Sequence, residues 1–404
     1  MTQNNSAEVI KAATGTKCPA CERGDIQVFF DMTGVPVNSC LMVNSKEEAL
    51  NFPTDNLRLG FCRSCGFISN LVFDVEMITY SASYEETQGC SPRFNAFARD
   101  LAQRLIDRYD IHGQHLLEIG CGKGEFLALM CELGGNTGTG IDPSYVPGRL
   151  SAEAESRIDF ITDFYSKKYS DLKGDVVVCR HTLEHIAPVR DFMQMVRSSI
   201  GDRPEVLVFF EVPDVLRVLR ETAFWDIYYE HCSYFSLGSL GRLFRSCGFE
   251  ILDLHADFDD QYLLIEARPA EGPVPTPHPA EDDMQPLADE VAYFARSIQD
   301  KFGGLKSDLA QIVKAGKKAV VWGSGSKAVA YLTGLKITEE IEYVVDINPM
   351  KHGKFLAGTG HEIVAPEFLI DYKPDEVILM NPIYLDEVQR DLTRMGLSAK
   401  LLAV

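Results

Sequence analysis

No stretch of the 404 residues stays apolar for the roughly 18 to 20 positions that a bilayer-spanning helix needs. The longest apolar runs, such as Val206 to Phe210, have the length of buried strands, and no membrane association is expected. Basic side chains are also scarce. Lys and Arg number 39 against 59 Asp and Glu, a formal charge of −20, whereas duplex binding normally calls for a basic face that displaces condensed counterions. A nucleic-acid partner is therefore disfavoured. There is no internal repeat at solenoid period. The opening MTQNNSAEVIKAATGTK has no apolar segment of the secretory type, so a cytoplasmic location is expected. In that setting eleven Cys read as reduced thiols and metal ligands rather than disulfides.

What is present is ample apolar material, 46% of residues, enough for two or three domains. Composition divides the chain. Residues 1–75 carry two Cys pairs among turn residues. Residues 76–268 and 287–404 each alternate short apolar runs with amphipathic stretches. Residues 269–286 are rich in proline, which disfavours helix and sheet and suits an extended linker. In the middle section HLLEIG, GTGID, DVVVCR and EVLVFFEV read as strands, and GEFLALMCELG and DFMQMVRSSI as helices. KAVVWG, IEYVVD and DEVILMN, with SKAVAYLTGL and DEVQRDLTRMG, repeat the theme near the C-terminus. The expected class is α/β: an N-terminal zinc-binding module, a central Rossmann-like domain and a second Rossmann-like domain.

Cys18-Pro-Ala-Cys21 and Cys62-Arg-Ser-Cys65 each have the spacing that lets two thiolates from one tight knuckle share a tetrahedral Zn²⁺. The pairs are farther apart than in an ordinary zinc ribbon, so a loop or hairpin is expected between them. Four thiolates leave no open coordination position, which assigns the site to architecture.

Leu116 to Gly124 (LLEIGCGKG) runs from a strand into a helix, with Gly120, Gly122 and Gly124 where the backbone turns and approaches a ligand. Glu118 closes the strand. Asp142 ends the next strand, where its carboxylate can accept ribose hydroxyls, and Asp163 is placed to meet an adenine amino group. Asp175 opens DVVVCRHTLEHI, whose loop, with His181 and His185, is expected to line the pocket. Lys123 and Glu125 leave the loop without the ending of a P-loop. Together these features resemble the class I S-adenosylmethionine-dependent methyltransferases, whose acid-x-G-x-G-x-G loop holds the methionine end of the cofactor. The resemblance implies S-adenosylmethionine as cofactor, with Glu118, Gly120, Gly122, Gly124, Asp142, Asp163 and His181 around it.

Beyond the strand EVLVFFEV lies FWDIYYEHCSYF, residues 224–235. Aromatic density of this kind is ordinarily core packing. The Y-x-E-H spacing adds two phenols, a carboxylate and an imidazole near the rim of the sheet, groups suited to acid–base work on a hydroxylated substrate. The order C-x-x-C, C-x-x-C, glycine loop, Y-x-E-H-x-x-Y-F and a second Rossmann-like domain resembles the deoxysugar C-methyltransferase family from about Cys18 to Val404. In that family a 3-keto sugar on thymidine diphosphate loses a proton beside the ketone, and the enolate carbon takes the methyl group. The resemblance implies Tyr228, Glu230 and His231 as catalytic residues, with His231 or a Tyr as base and Glu230 orienting the His or binding a sugar hydroxyl. Tyr84 best matches a further tyrosine, with Tyr80 second. The surrounding TYSASYEETQGCSPRF departs from the family, which tends to have serines after that tyrosine, and this leaves C- versus O-methylation open.

Gly323 to Lys327 follows a strand and opens a helix, and Asp346 ends the next strand. The loop and the Lys351-His352 turn are placed to help enclose a nucleotide-diphosphate sugar, or the loop is a relic without ligand. Cys121 reads as a packing residue and Glu281 to Asp283 as a solvated run. Two competing readings are O- or N-methylation of another small metabolite in this scaffold, and a non-catalytic zinc-containing nucleotide-binding protein. A monomer or weak homo-oligomer is expected.

Overall fold

The computed structural model describes residues 11–12, 15–272 and 275–404. The start of the 1–75 section and positions 273 and 274 of the proline-rich stretch lie outside the described residues. The first sheet is antiparallel: β1 (Lys11–Ala12), β2 (Ile26–Pro36), β3 (Thr54–Cys62) and β4 (Ile68–Asn70) lie in order. Its far edge is Ser233–Tyr234, contributed from the middle of the chain beside the Y-x-E-H segment. The β2–β3 hairpin is the insertion expected between the Cys pairs, and it buries Phe29, Phe30, Leu57, Leu59 and Phe61.

The second sheet has seven strands. Five are parallel: β5 (His115–Ile119), β6 (Thr137–Ile141), β7 (Ile158–Ile161), β8 (Val176–Arg180) and β9 (Leu207–Pro213). An antiparallel hairpin, β10 (Phe249–Asp257) and β11 (Tyr262–Pro269), adds to the β9 edge, giving the order β10-β11-β9-β8-β5-β6-β7. The chain crosses over between β5 and β8, and a crevice opens there at the carboxyl ends of the strands, where ligands bind in open α/β sheets. All five residues of β8 are buried, as expected of a strand covered on both faces. The helices α1 (Pro92–Tyr109) and α2 (Glu125–Gly134) cover one face and α3 (Val189–Ile200) the other. The start of α1 is set by Ser91, which accepts the Phe94 N–H, and by Pro92 at the first helical position, where no N–H is needed.

The third sheet is wholly parallel. A long helix, α4 (Met284–Lys314), leads into β12 (Ala319–Trp322), α5 (Ser326–Leu335), β13 (Tyr343–Val345), β14 (Glu362–Val364), β15 (Glu376–Leu379) and β16 (Lys400–Ala403). The order β14-β13-β12-β15-β16 again changes direction at its first strand. α4 begins inside the stretch expected to be linker: Pro286 falls in its first turn, where a missing N–H costs nothing.

The three sheets share cores. Phe294 of α4 sits edge-on against Phe29 and Phe30 of β2, with centroids 5.9 and 5.4 Å away. Cys18, Cys62 and Cys65 lie in one apolar cluster with Phe210 of β9 and with Phe244 and Phe249. The first sheet is thereby wedged between the other two, and the ends of all three meet around one cavity.

Candidate active site

The cavity occupies about 1190 Å³. That is above the roughly 300 to 1,000 Å³ of an ordinary small-ligand pocket and leaves room for two ligands side by side. One wall is the loop between β5 and α2. Gly120 and Gly122 there have φ of +71° and +54°. A Cβ on Gly120 would collide with the Thr182 side chain, so the loop closes only with glycine at that point. Gly122 N–H donates to Asp142 Oδ2 at 2.8 Å, and Asp142 Oδ1 accepts from both the backbone and the hydroxyl of Ser144, each at 2.7 Å. The loop and the end of β6 are thus one hydrogen-bonded unit. Glu118 is buried at the base of the cavity, where burial pushes its carboxyl up to about 8, and its Oε2 has no protein partner. A glycine cradle that side chains would fill, with an orphaned carboxyl oxygen beneath it, fits S-adenosylmethionine.

His181 lines the cavity from the loop after β8, at a φ of +49° that a non-glycine residue adopts only under constraint. The constraint is visible: its N–H donates to the Glu211 carbonyl, and its Nε2 lies 2.9 Å from Glu211 Oε1. Burial disfavours the imidazolium, but the Glu211 and Glu184 carboxylates outweigh it and hold the ring pKa at about 9. Glu211, itself buried, is pulled down to about 2 by Arg180 and His181. Arg180 donates to it at 2.6 and 3.2 Å.

The opposite wall carries the phenols and imidazoles. Tyr84 O–H donates to Glu230 Oε2 at 2.8 Å, and Tyr80 O–H lies 2.8 Å from His185 Nδ1, which is also 3.0 Å from the Glu230 carbonyl. The His231 ring sits 4.1 Å from Tyr228 and 4.7 Å from His185, centroid to centroid. Burial, reinforced by His185, His181 and Lys327, drives the His231 pKa well below its ordinary value, so the ring is neutral with its lone pair available. Burial likewise raises the Tyr80, Tyr84 and Tyr228 phenols, which stay protonated.

Glu230 differs from its expected place beside the imidazole. Its Oε2 accepts from Asn38 Nδ2 at 3.3 Å as well as from Tyr84, and its Oε1 accepts Ser39 N–H at 3.0 Å and the Ser39 hydroxyl. With its lone pairs taken by protein donors, it ties the segment after β2 to Tyr84 and acts as a positioning group. Asp163 also lies elsewhere. Its carboxylate is outside the cavity wall, accepting Lys168 Nζ at 2.9 Å and Tyr169 O–H at 2.5 Å, and the neighbouring Phe164 lines the cavity in its place.

The third wall is the C-terminal sheet. Lys327, at the start of α5, pairs with Asp226, which also accepts Arg217 at 2.5 Å. Lys351 Nζ lies 3.6 Å from Asp346 Oδ2, and Asp346 accepts Ser324 N–H at 2.9 Å. A buried reciprocal amide pair, Gln261 with Asn381 at 3.1 and 2.8 Å, fixes this wall to the turn between β10 and β11. The Arg217–Asp226–Lys327 group, the Arg180–Glu211 pair and that amide pair have no sequence signal, because their members come from separate elements.

At the edge of the first sheet, Cys18 and Cys65 sulfurs are 3.7 Å apart, as are those of Cys21 and Cys62. Disulfide sulfurs lie about 2.05 Å apart. A tetrahedron with metal–sulfur bonds of about 2.3 Å has edges of about 3.8 Å, so the four thiols fit a zinc ion. Each knuckle is closed by the backbone: Glu22 N–H donates to Cys18 O and Gly66 N–H to Cys62 O, both at 2.8 Å, and Gly66 takes φ +74°.

Two family models match the chain: "methyltransferase domain" over residues 93–254 and "C-methyltransferase C-terminal domain" over residues 279–399. The curated C-methyltransferase NovU of Streptomyces niveus is 26% identical over 396 residues, covering 92% of this chain and 91% of its own. Among solved structures, the 1,6-didemethyltoxoflavin-N1-methyltransferase of Burkholderia thailandensis, with S-adenosylhomocysteine bound, covers 43% of this chain and 79% of its own at 19% identity and TM-score 0.35. The magnesium protoporphyrin IX methyltransferase of Synechocystis covers 44% and 84% at 16% and 0.35. Fold, glycine loop and family models define an S-adenosylmethionine-dependent methyltransferase. More narrowly, residues 279–399 match the C-methyltransferase C-terminal domain and the likeness to NovU runs through nine-tenths of both chains, so the chain is similar to the C-methyltransferases.

Proposed function

We propose that this enzyme methylates a carbon beside the ketone of a nucleotide-diphosphate-linked keto-deoxysugar. The observation that carries this reading is the shared cavity, with the glycine loop on one wall, a neutral His231 flanked by phenols on the second, and lysines on the third. Glu118, Gly120, Gly122, Gly124, Asp142 and His181 belong to the cofactor side. Bound S-adenosylmethionine supplies an electrophilic methyl group on a sulfonium. The protein's share is to make the carbanion and hold it in line. His231 takes the proton from the carbon next to the ketone, and the phenol of Tyr228 donates to the developing enolate oxygen. Tyr80 and His185, hydrogen-bonded to each other, extend this network. Lys327 and Lys351, each paired with a carboxylate, Asp226 and Asp346, line the wall where a diphosphate would lie at the start of α5. Cys18, Cys21, Cys62 and Cys65 hold a structural zinc ion that fixes the first sheet, and with it Asn38 and Ser39, against the site.

The test is product analysis with S-adenosylmethionine carrying a ¹³C methyl group and a thymidine-diphosphate-linked 3-keto-deoxysugar. The reading expects the label on carbon, with the methyl resonance in the range of a C–CH₃ group. A label on oxygen or nitrogen would overturn it in favour of the other methylation chemistries.

A further inference from the structure

The segment from Tyr80 to Ser91 passes over the glycine loop and is tied down at nearly every step. The Tyr84 carbonyl accepts Lys123 Nζ at 2.8 Å, Glu85 receives Arg149 at 2.8 and 3.0 Å, and Thr87 Oγ1 donates to Glu125 Oε2 at 2.5 Å. Asn348 of the C-terminal domain also donates to Glu85, at 3.0 Å. Glu86 stands between these fastenings and differs from them. Its Oε2 is buried without a hydrogen-bond partner, and its carboxylate lines the cavity. The nearest cation, Lys123 Nζ, is 3.5 Å away and already donates to the carbonyls of Tyr84 and Ser144. Burial pushes the Glu86 carboxyl up to about 7 against the pull of Lys123, with Asp142 and Glu85 adding to the rise.

Its position is specific. A Cβ built on Gly122 would come within 2.8 Å of Glu86 Oε1, so the carboxylate lies directly over the central glycine of the loop. Asp142, the ribose acceptor of the reading above, is anchored below the same glycine by the Gly122 N–H. The side chain as a whole is 31% exposed and lines the cavity, but Oε2 is shut off from water and has no donor, which is costly unless a ligand completes it. The cofactor's amino-acid end carries one group of the right kind, a primary ammonium with three donors. Resting on the cofactor assignment above, we propose that Glu86 receives the α-ammonium of S-adenosylmethionine and selects for ligands that carry it. Lys123, with its two carbonyl bonds, is then the strut that holds the segment and its carboxylate over Gly122. Glu86 does not stand out in the sequence, because it precedes Gly122 by 36 positions and reaches it only through the fold.

Two ligands separate this claim from its foundation. S-adenosylhomocysteine keeps the ammonium and removes the sulfonium charge, whereas 5′-methylthioadenosine keeps adenine and ribose but has no amino-acid end. Calorimetry on the full-length wild type should show S-adenosylhomocysteine binding more tightly, and Glu86→Gln should reduce that affinity about 10- to 100-fold, as expected for a lost charge-assisted bond. Binding of 5′-methylthioadenosine should be unchanged in the variant, which also verifies that the variant is folded. An equal loss for both ligands would overturn the ammonium assignment and move Glu86 to the ribose. Unchanged binding of both would remove Glu86 from the site altogether. If wild type binds neither ligand, the cofactor reading itself fails. For a variant that does not fold, wild type decides alone: S-adenosylhomocysteine whose amino group is replaced by a keto group should bind at least tenfold more weakly than the parent, and equal affinity would overturn the proposal.

Discussion

Glu230 offers the sharpest contrast between two substitutions at one position. The side chain is 1% exposed and its carboxylate accepts from four protein donors: Asn38 Nδ2, Ser39 N–H, the Ser39 hydroxyl and Tyr84 O–H. In Glu230→Gln, Oε1 keeps both Ser39 bonds, and the new amide nitrogen replaces Oε2. Tyr84 can answer by rotating its hydroxyl and accepting. Asn38 cannot flip its amide without cost, because its Oδ1 already accepts the Thr79 N–H at 3.1 Å. One charge-assisted bond is lost, at a cost of about 1.5 to 3 kcal/mol. In Glu230→Ala three of the four donors lose their acceptor in a buried space, the Ser39 hydroxyl still having Ser326 Oγ 2.7 Å away, and at about 1 to 3 kcal/mol for each the loss exceeds about 3 kcal/mol. Urea denaturation followed by fluorescence, with the zinc content of each sample matched, reads the difference. Turnover should fall in both variants with little change in affinity for S-adenosylhomocysteine, since the carboxylate touches Tyr84 and not the glycine loop. An Ala variant within 1 kcal/mol of wild type would refute the hydrogen-bond accounting and return Glu230 to solvent or substrate.

Metal analysis should find about one zinc per chain, and Cys18→Ser should lose it and melt at lower temperature, because the ion supplies folding energy. A zinc-free wild type with the same melting temperature would contradict the four-thiolate site. The His181–Glu211 pair gives a pH signature. The folded-state pKa of about 9 lies above the ordinary 6.5, so the stabilisation, at most about 3 kcal/mol, is fully present below pH 6.5 and is lost as pH rises through 9. The stability advantage of wild type over His181→Gln should therefore shrink between pH 7 and 9.5, and an advantage that stays constant over that range would show that the pair is not ionised.

Much of the scaffold could be read from the chain because the informative residues are neighbours. LLEIGCGKG holds strand, turn and helix start within nine residues, and its glycines sit where positive φ is required. The strands β5, β8 and β9 were legible as apolar runs because parallel strands covered on both faces need no polar alternation. What escaped depends on distance in sequence. Ser233–Tyr234 completes the first sheet across about 160 residues from β4, and no local pattern announces such a pairing. The β10–β11 hairpin is an antiparallel addition to a parallel sheet, and β10 carries charged residues along much of its length. Asp163 misled because Lys168 and Tyr169, five and six residues on, capture its carboxylate. The positioning role of Glu230 was hidden for the same reason in reverse, its partners lying 146 to 192 residues away.

In the proposed mechanism His231 removes a proton from the carbon that receives the methyl group. Incubation of the enzyme with a thymidine-diphosphate-linked 3-keto-deoxysugar in deuterated water, without methyl donor, measures this step alone. Wild type should wash deuterium into the carbon beside the ketone, and His231→Asn should do so about 10² to 10⁴ times more slowly, the usual contribution of a positioned base. Exchange at the full rate in His231→Asn would contradict the assignment and pass the role to a tyrosine. No exchange in wild type under conditions where methyl transfer proceeds would contradict the carbanion mechanism itself.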